Sequence, residues 1–254
     1  MTHSRRPGGR YAGAMGVVAA VWRYPVKSMA GERLTEVTLG ERGLDGDRLH
    51  AVRDPGGKFG SGKNSRRFRR MPGLHAFAAR YDGDVPLVTF PDGRVVRGDA
   101  AEVHAELAAA LGFPGVELAK EAEIPHHDEA PVHLVTTSSL AWLAEHAPGV
   151  ALDERRFRAN LLLDTGPAPE LTEEAWLGKR VRIGEVELEI LRKAVRCVMV
   201  GLPGDGLQAA PGLLKTISDT NGLTFGVQTR VVRGGTIRVG DGVHEVGCSA
   251  AHSL

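Results

Sequence analysis

The chain contains little cysteine: only Cys197 and Cys248 occur among its 254 residues. Two thiols are too few for the disulfide framework that staples small secreted proteins. They are also fewer than the ligands that a plant-type iron–sulfur cluster requires, which excludes a cluster of that kind in this chain. We therefore expect a protein of a reducing compartment, the cytoplasm.

Charge of one sign and long apolar runs are also lacking. The 32 basic and 31 acidic side chains leave a formal net charge of +1, which gives no reason to expect nucleic acid or a membrane as a partner. No apolar run approaches the length of a transmembrane helix. The first residues are rich in Arg and Gly and lack the apolar segment of a signal peptide, so we expect residues 1–15 to form a disordered tail.

Several common functional motifs are absent. The sequence contains no HExxH, GxSxG or GxGxxG motif, so Ser–His hydrolysis and a flavin or nicotinamide site lack their usual markers. Residues 57–64 nearly satisfy the phosphate-binding P-loop pattern, but Asn64 stands where Mg²⁺ needs a hydroxyl group. No helical pattern follows this segment, and we interpret it as a turn that binds no nucleotide.

Glycine, proline and short apolar segments are abundant. The chain has 33 glycines and 14 prolines, and 42% of its residues are hydrophobic, enough for a substantial core. Strand patterns outnumber helical ones, which predicts a mainly β fold with a few helices (α+β), in which antiparallel sheets close or fold over. The predicted strands cover residues 16–23, 34–39, 50–53, 87–90, 94–97, 132–135, 160–163, 180–183, 186–191, 195–200, 225–232 and 236–239.

Three helices are predicted from capping signals and apolar spacing. They cover residues 100–111 with Asp99 as N-cap and Gly112 as stop, 136–146 with Thr136 or Thr137 at the start, and 213–218. The polar segment 121–131 contains two prolines and is the best candidate for a link between two halves of the chain. The spacing of its residues 126–129, His-His-Asp-Glu, would not bring their side chains together around one metal ion, so a surface linker is favoured.

A cysteine follows an arginine inside the apolar run 195–200. The commonest fate of such a free thiol is burial as a small hydrophobic group. The alternative is a thiolate beside a fixed positive charge, which would ligate a soft metal. In a strand, Arg196 and Cys197 would point to opposite faces, because neighbouring side chains alternate.

Three turn-like segments, 24–28, 43–48 and 155–160, couple cations or amides to turns. Each could be a surface turn with a salt bridge, but together they could surround an anionic ligand with Lys, Ser, Arg and Asn side chains. The residues concerned are Lys27, Ser28, Arg48, Arg158 and Asn160. A separate basic run, Arg66, Arg67, Arg69 and Arg70, is interpreted as a solvated loop, with contact to an acidic partner as the lesser alternative.

These segments together resemble the MOSC family, named for the C-terminal domain of molybdenum cofactor sulfurase. The resemblance spans residues 16–246 and looks closest to the branch of the mitochondrial amidoxime-reducing component and its bacterial relatives. It is carried by Tyr-Pro-Val-Lys-Ser over 24–28, Gly-Leu-Asp-Gly-Asp-Arg over 43–48, Gly-Lys-Phe over 57–59, Arg-Phe-Arg-Ala-Asn over 156–160, Arg196-Cys197, Phe225-Gly226 and the segment 235–241.

The resemblance implies a β-rich N-terminal domain over 16–125, a MOSC β-barrel domain over 126–246 and a tail over 247–254. It implies a molybdenum cofactor (molybdopterin) between the domains, with Cys197 as the metal ligand and catalytic residue. The positions that would hold the cofactor are Lys27, Ser28, Arg48, Arg158, Asn160 and Arg196. The residues around Cys197, among them Val195 and Val198, are more apolar than in the amidoxime-reducing branch.

By this resemblance the chain is an oxidoreductase that reduces small N-hydroxylated compounds. Its electrons would come from a separate protein, a ferredoxin, flavodoxin or flavoprotein reductase, because the chain has no electron-carrying motif of its own. Two alternatives stay open: a carrier of molybdenum cofactor without turnover, and a sulfur carrier in which Cys197 holds a persulfide. The substrate, the donor and any nucleotide on the cofactor stay open as well.

Overall fold

The computed structural model describes residues 13–127, 129–204 and 206–247, so most of the two expected tails, with Cys248, lies outside the described residues. The described chain is mainly β with three α-helices, which confirms the predicted fold class. The strands are β1 (Gly16–Arg23), β2 (Glu32–Leu34), β3 (Glu36–Gly40), β4 (Gly43–Leu44), β5 (His50–Arg53), β6 (Phe59–Ser61), β7 (Phe68–Arg70), β8 (Ala78–Asp82), β9 (Val85–Thr89), β10 (Val95–Arg97), β11 (Glu117–Lys120), β12 (Val132–Thr136), β13 (Leu161–Asp164), β14 (Arg180–Ile183), β15 (Val186–Val195), β16 (Thr224–Arg233), β17 (Gly235–Arg238) and β18 (Gly242–Glu245). The helices are α1 (Val103–Leu111), α2 (Thr137–His146) and α3 (Leu213–Asn221).

Seven of these strands close into a barrel. Their order is β13, β12, β16, β15, β14, β18 and β1, and the barrel closes because β1 also pairs with β13, with Val21 opposite Leu161. Apolar side chains alternate into its core: Val181 and Ile183 of β14 are buried, whereas Arg180 and Arg182 are exposed. Strand β1, from the start of the chain, therefore completes a barrel whose other strands all come from the second half.

The rest of the first half forms smaller sheets beside the barrel. Strands β11, β5, β6 and β7 make one sheet, and β10, β9 and β8 make another. Helix α1 packs between them through Val103 and Leu107, which share a core with Met29, Phe77 and Val88. A third sheet joins the halves, since β17 pairs with β3 and β3 with β4. The expected division into 16–125 and 126–246 stays a prediction.

Helices α2 and α3 cover one flank of the barrel. Their buried residues Leu143 and Ile217 share an apolar cluster with Phe157, Val200 and Phe225. The rings of Phe157 and Phe225 lie 4.3 Å apart between centroids. This packing fixes two short 3₁₀ turns, Glu154–Phe157 and Val198–Gly201, which carry residues on either side of the functional site.

The helix signals were correct at three of the four ends of α1 and α2. Thr136 caps α2, because its side chain accepts a hydrogen bond from the Ser139 backbone N–H, and α2 ends at His146 as predicted. Gly112 ends α1 in the left-handed conformation (φ 69°). The Asp99 cap is wrong: α1 begins at Val103, and the Asp99 carboxylate pairs instead with Arg97 at 3.0 Å.

Two further expectations are wrong. The run 195–200 is not a strand, because β15 ends at Val195 and a 3₁₀ turn begins at Val198, which allows Val200 to pack in the core beside α3. The segment 126–129 is not simply a surface linker, because His126 and His127 are 2% and 9% exposed. As predicted, no helix follows residues 57–64: the strand β6 lies within this segment, and the next element is the strand β7.

Candidate functional site

A cavity of about 160 Å³ lies between the barrel and the N-terminal sheets. Segments far apart in the sequence meet in it, and six of the seven residues predicted from the sequence line its wall. These six are Lys27, Ser28, Arg48, Arg158, Arg196 and Cys197. The seventh, Asn160, is buried behind the wall.

Cys197 lies where the chain leaves the barrel. Arg196 donates its backbone N–H to the Leu223 carbonyl at 2.8 Å, and the Val200 N–H then bonds to the Cys197 carbonyl at 3.2 Å to close the 3₁₀ turn. The side chain of Cys197 is half-buried. Because strand alternation no longer applies after Val195, Arg196 and Cys197 both line the cavity, which corrects the expectation that they point to opposite faces.

Arg196 is held in place by the barrel wall. Its Nη2 donates to the Phe157 carbonyl at 2.7 Å, and its Nη1 lies 3.4 Å from Nε2 of His133. Burial and the positive charge of Arg196 hold the pKa of His133 well below its ordinary value. His133 is therefore neutral at pH 7, and its Nε2 can accept a hydrogen bond from Arg196.

His133 was missed by sequence reasoning, but Gly226 carries an indirect signal of it. Gly226 has φ +76°, and a Cβ at this position would lie 2.6 Å from Nε2 of His133 and 2.7 Å from the Leu134 carbonyl. The absence of a side chain at Gly226, the second residue of the Phe225-Gly226 pair, thus leaves the space that His133 fills. Neither the alternation of β12 nor its apolar character marks His133 as part of a site.

Three of the predicted residues have left-handed backbones. Ser28, Arg48 and Arg158 have φ values of 67°, 52° and 53°, a backbone conformation that residues other than glycine rarely adopt. Within the described residues only Leu223, whose carbonyl holds the Arg196 backbone, shares this feature among non-glycine residues. Such strain persists where the surroundings impose it, and it clusters at functional sites.

Arg48 and Arg158 converge on Tyr24. Their guanidinium carbons lie 4.7 and 4.3 Å from the centroid of its ring, while the Tyr24 hydroxyl donates to the Ala159 carbonyl at 3.2 Å. Burial raises the pKa of Tyr24, so the ring stays neutral beside the two cations. Arg48 also donates to the Arg158 carbonyl at 3.0 Å, which ties the two segments together.

Asp47 is a buried carboxylate that holds Arg48 and the Tyr24 backbone in place. It is fully buried, pairs with Arg48, and accepts the Tyr24 backbone N–H at 2.8 Å. Burial alone would raise the pKa of Asp47, but the charge of Arg48, a hydrogen bond from the Tyr24 backbone and the His127 ring 3.7 Å away lower it to about 2. Asp47 therefore stays ionised at pH 7 and fixes the Arg48 side chain.

The segment between the two halves folds across the Lys27 side of the site. Lys27 donates to the His126 carbonyl at 3.0 Å, and the His126 N–H bonds to Glu121 at 2.7 Å. Arg42 donates two hydrogen bonds of 2.6 Å each to the Glu121 carboxylate. These bonds explain why His126 is buried rather than displayed on a surface linker.

Asn160 does not line the cavity but holds residues that do. Its Nδ2 donates to the Trp22 carbonyl at 3.2 Å, and its Oδ1 accepts from the His133 N–H at 3.2 Å and from Arg48 at 3.4 Å. It therefore positions Arg48 and the start of β12 without touching the cavity itself. Sequence reasoning had grouped it with the residues that contact a ligand.

Sequence reasoning also missed Gln228 of β16. Gln228 lines the cavity, and its buried Oε1 has no hydrogen-bond partner among the residues that the structure describes. A buried carbonyl oxygen without a donor is costly unless a ligand supplies one. A lone glutamine within a strand pattern carries no signal by which it could have been found.

Comparison with known families decides the identity of the two halves. Residues 15–122 match the MOSC N-terminal beta barrel domain, and residues 121–244 match the MOSC domain. The chain belongs to the MOSC family. The MOSC domain is associated with binding of the molybdenum cofactor. The closer link to the amidoxime-reducing branch stays a prediction.

Solved structures resemble the MOSC chain only distantly. The YuaD protein from Bacillus subtilis is 13% identical over 91% of this chain and 97% of its own, with a TM-score of 0.49. YiiM from Escherichia coli is 12% identical over 91% of this chain and 70% of its own, with a TM-score of 0.45. None of the curated proteins searched matches the sequence.

The donor set of the cavity fits a molybdenum cofactor. Among the described residues no group of three or more His, Cys, Asp or Glu side chains could hold a metal ion, so a metal at Cys197 needs further ligands from its own organic part. A dithiolene-bound metal has this requirement, and the cations on the wall suit the cofactor's phosphate. No helix in the described ranges is long and apolar enough to cross a membrane.

Proposed function

We propose that this protein is a molybdenum cofactor-dependent oxidoreductase that reduces small N-hydroxylated compounds. Some MOSC proteins have this activity. The observation that carries the proposal is the presence of one half-buried thiol, Cys197, in the same cavity as Lys27, Arg48, Arg158 and Arg196. A soft metal ligand beside a cluster of cations suits a cofactor that has both a metal and a phosphate.

The chain's own residues have separable tasks in this proposal. Cys197 would bind the metal, and Lys27, Ser28, Arg48 and Arg158 would hold the phosphate and pterin. When bound, the cofactor supplies the exchange of an oxygen atom and an electron pair, which no side chain of this cavity can supply. The protein contributes ligation, orientation and exclusion of water.

The rim of the cavity beside Cys197 is apolar. Val195 and Val198 are 55% and 43% exposed, large fractions for hydrophobic side chains, and Met199 lines the cavity next to them. An exposed apolar rim favours contact with an apolar part of a ligand. We infer that the substrate carries an apolar body behind its N-hydroxyl group, so that the body contacts this rim.

The reaction requires a source of electrons outside the chain. Reduction of an N-hydroxyl group consumes an electron pair and two protons, breaks the N–O bond and releases water. The donor would be a ferredoxin, a flavodoxin or a flavoprotein reductase, docked through a small, charge-complementary surface. Arg66 and Arg70 are exposed and suit an acidic donor, whereas Arg67 bonds to the Pro125 carbonyl and Arg69 to Asp54.

The test supplies different electron sources to the purified protein with a simple amidoxime as substrate. We expect turnover with a reduced viologen or an added redox protein, and none with NADH or NADPH alone. Turnover with NAD(P)H alone would overturn the external donor. Cofactor-loaded protein that fails with every donor and a range of N-hydroxylated compounds would instead be a cofactor carrier.

A further inference from the structure

A second cavity, of about 50 Å³, lies beside the first. The two share Arg158 and Met199, and the second is bounded by residues of both halves, among them His75 and Leu202. Its volume is several times the ~10–15 Å³ that a single water molecule requires. A small chemical group can therefore occupy it next to the Cys197 cavity.

Arg156 is the most deeply buried cation on this wall. It is 4% exposed, and two of its nitrogens bond to backbone carbonyls: Nε to Ala151 at 3.0 Å and Nη2 to Gln208 at 2.8 Å. Its third nitrogen, Nη1, is buried and has no hydrogen-bond partner, and no ion pair of Arg156 exists within the described chain. The nearby carboxylate, Asp153, is held by Arg155 with bonds of 2.9 and 2.7 Å.

Trp22 supplies a second unused donor. Its indole Nε1 is buried and also lacks an acceptor in the described structure. A buried donor without a partner is energetically costly, so two of them in side chains that line one cavity need an explanation. A bound acceptor with two oxygen atoms, such as a carboxylate, would satisfy both and neutralise Arg156.

Apart from Arg155 and Arg158, the remaining wall is mostly apolar. Leu202, Pro203 and Leu207 line it, and His75 is neutral because burial and the charge of Arg158 lower its pKa. No Asp or Glu lies among the described lining residues. These surroundings suit the carboxylate of an organic molecule with an apolar body, whereas a free phosphate dianion would have to give up its hydration for few donors.

We propose that this second cavity binds the carboxylate of a small apolar organic acid through Arg156 and Trp22. The site depends on the chain's own side chains and stands whether or not the proposed reaction is correct. If that reaction is correct, the shared residues Arg158 and Met199 place the acid beside the Cys197 cavity, and the substrate class narrows to N-hydroxylated compounds that carry an acidic group.

The test uses the full chain labelled with ¹⁵N, titrated with sodium benzoate and, separately, with inorganic phosphate. The three indole N–H resonances are followed by NMR, with that of Trp22 assigned through Trp22→Phe. We expect benzoate to shift the Trp22 resonance saturably, and those of Trp142 and Trp176, which lie outside the cavity, to stay in place. Absence of a Trp22 shift overturns the proposal, as does phosphate binding as tight as that of benzoate.

Substitutions test which residue binds the carboxylate of benzoate. Arg156→Gln is expected to weaken benzoate binding at least tenfold, whereas Arg94→Gln, a change of an exposed arginine outside both cavities, leaves it unchanged. Should Arg156→Gln unfold, Trp22→Phe replaces it as the test: it keeps an aromatic side chain and removes the donor, and calorimetry should show severalfold weaker binding. Unchanged affinity in the folded Arg156→Gln protein, or in Trp22→Phe, contradicts the site. Lys63 lines the first cavity and not the second, so a loss of binding in Lys63→Gln instead would place the anion in the first cavity.

Discussion

The guanidinium of Arg48 donates a hydrogen bond to the backbone carbonyl of Arg158 at 3.0 Å, across 110 residues of sequence. Both residues have left-handed backbones, and both guanidinium groups lie against the ring of Tyr24. This contact joins the loop after β4 to the turn before β13. The cationic wall of the cavity is therefore a product of the tertiary fold and exists in neither segment alone.

Removing a cation from this wall should affect ligand binding more than folding. We expect Arg158→Ala and Lys27→Ala to lower cofactor occupancy about ten- to a hundredfold, because a charge-assisted contact contributes roughly 1.5–3 kcal/mol. Occupancy is measured as molybdenum per chain, and stability by thermal unfolding. Arg94→Ala, on an exposed hairpin, is the matched control and should change neither.

The same two variants would also reveal a purely structural role for Arg158 and Lys27. Arg158 bonds to the Met29 carbonyl and Lys27 to the His126 carbonyl, so each residue also has a structural contact. Variants that keep full occupancy yet unfold at lower temperature would show that these two residues serve the fold and do not bind the cofactor.

Gly226 should be the glycine of the site least tolerant of a side chain. Gly226→Ala combines an unfavourable backbone at φ +76° with a Cβ 2.6 Å from Nε2 of His133, and we expect a loss of about 2 kcal/mol in unfolding free energy together with reduced cofactor occupancy. Gly149 has φ +82° with open space around its Cα, so Gly149→Ala should cost about 1 kcal/mol and leave occupancy intact. Urea unfolding and metal analysis check both. Equal behaviour of the two variants would show that His133 has no role in shaping the site.

Stability should fall as the pH falls from about 6.5 to about 4. Burial is the main cause that lowers the pKa values of His50 and His126 to about 4, from 6.5 in an unfolded chain. Between these values the unfolded state binds more protons, so the free energy of unfolding decreases with decreasing pH. Urea midpoints measured across this range should fall steeply in the native protein and less steeply in His126→Asn, with the exposed His146→Asn as control. A flat profile, or identical slopes in all three proteins, would contradict the assigned burial.

The sequence predicted strands and the residues of the cavity better than it predicted the course of the chain around Cys197. Strands β1, β5 and β14 match their predicted bounds, and in β14 buried and exposed residues alternate along the whole strand. The run 195–200 is equally apolar, but Val200 is buried against helices, a tertiary contact that overrides local β preference. Motif resemblance brought Lys27, Arg48 and Arg158 together, whereas nothing in the chain's local pattern marks Gln228 or the burial of His126.

The two cysteines should behave differently. Cys197 lies in the cavity, whereas Cys248 lies outside the described residues in a segment rich in Gly, Ser and Ala. We expect Cys197→Ala to abolish reductase activity and change the metal's absorption spectrum, because the soft ligand is lost. Cys248→Ala should change neither. Full activity in Cys197→Ala, or equal effects of the two substitutions, would count against metal ligation.

The most direct test of the account is the molybdenum and pterin content of the protein purified from a host that makes the cofactor. One thiolate ligand in one cationic cavity predicts about one molybdenum per chain, with release of a fluorescent pterin on oxidation. Protein from such a host that contains neither metal nor pterin would contradict the account, and it would favour a sulfur carrier with a persulfide on Cys197.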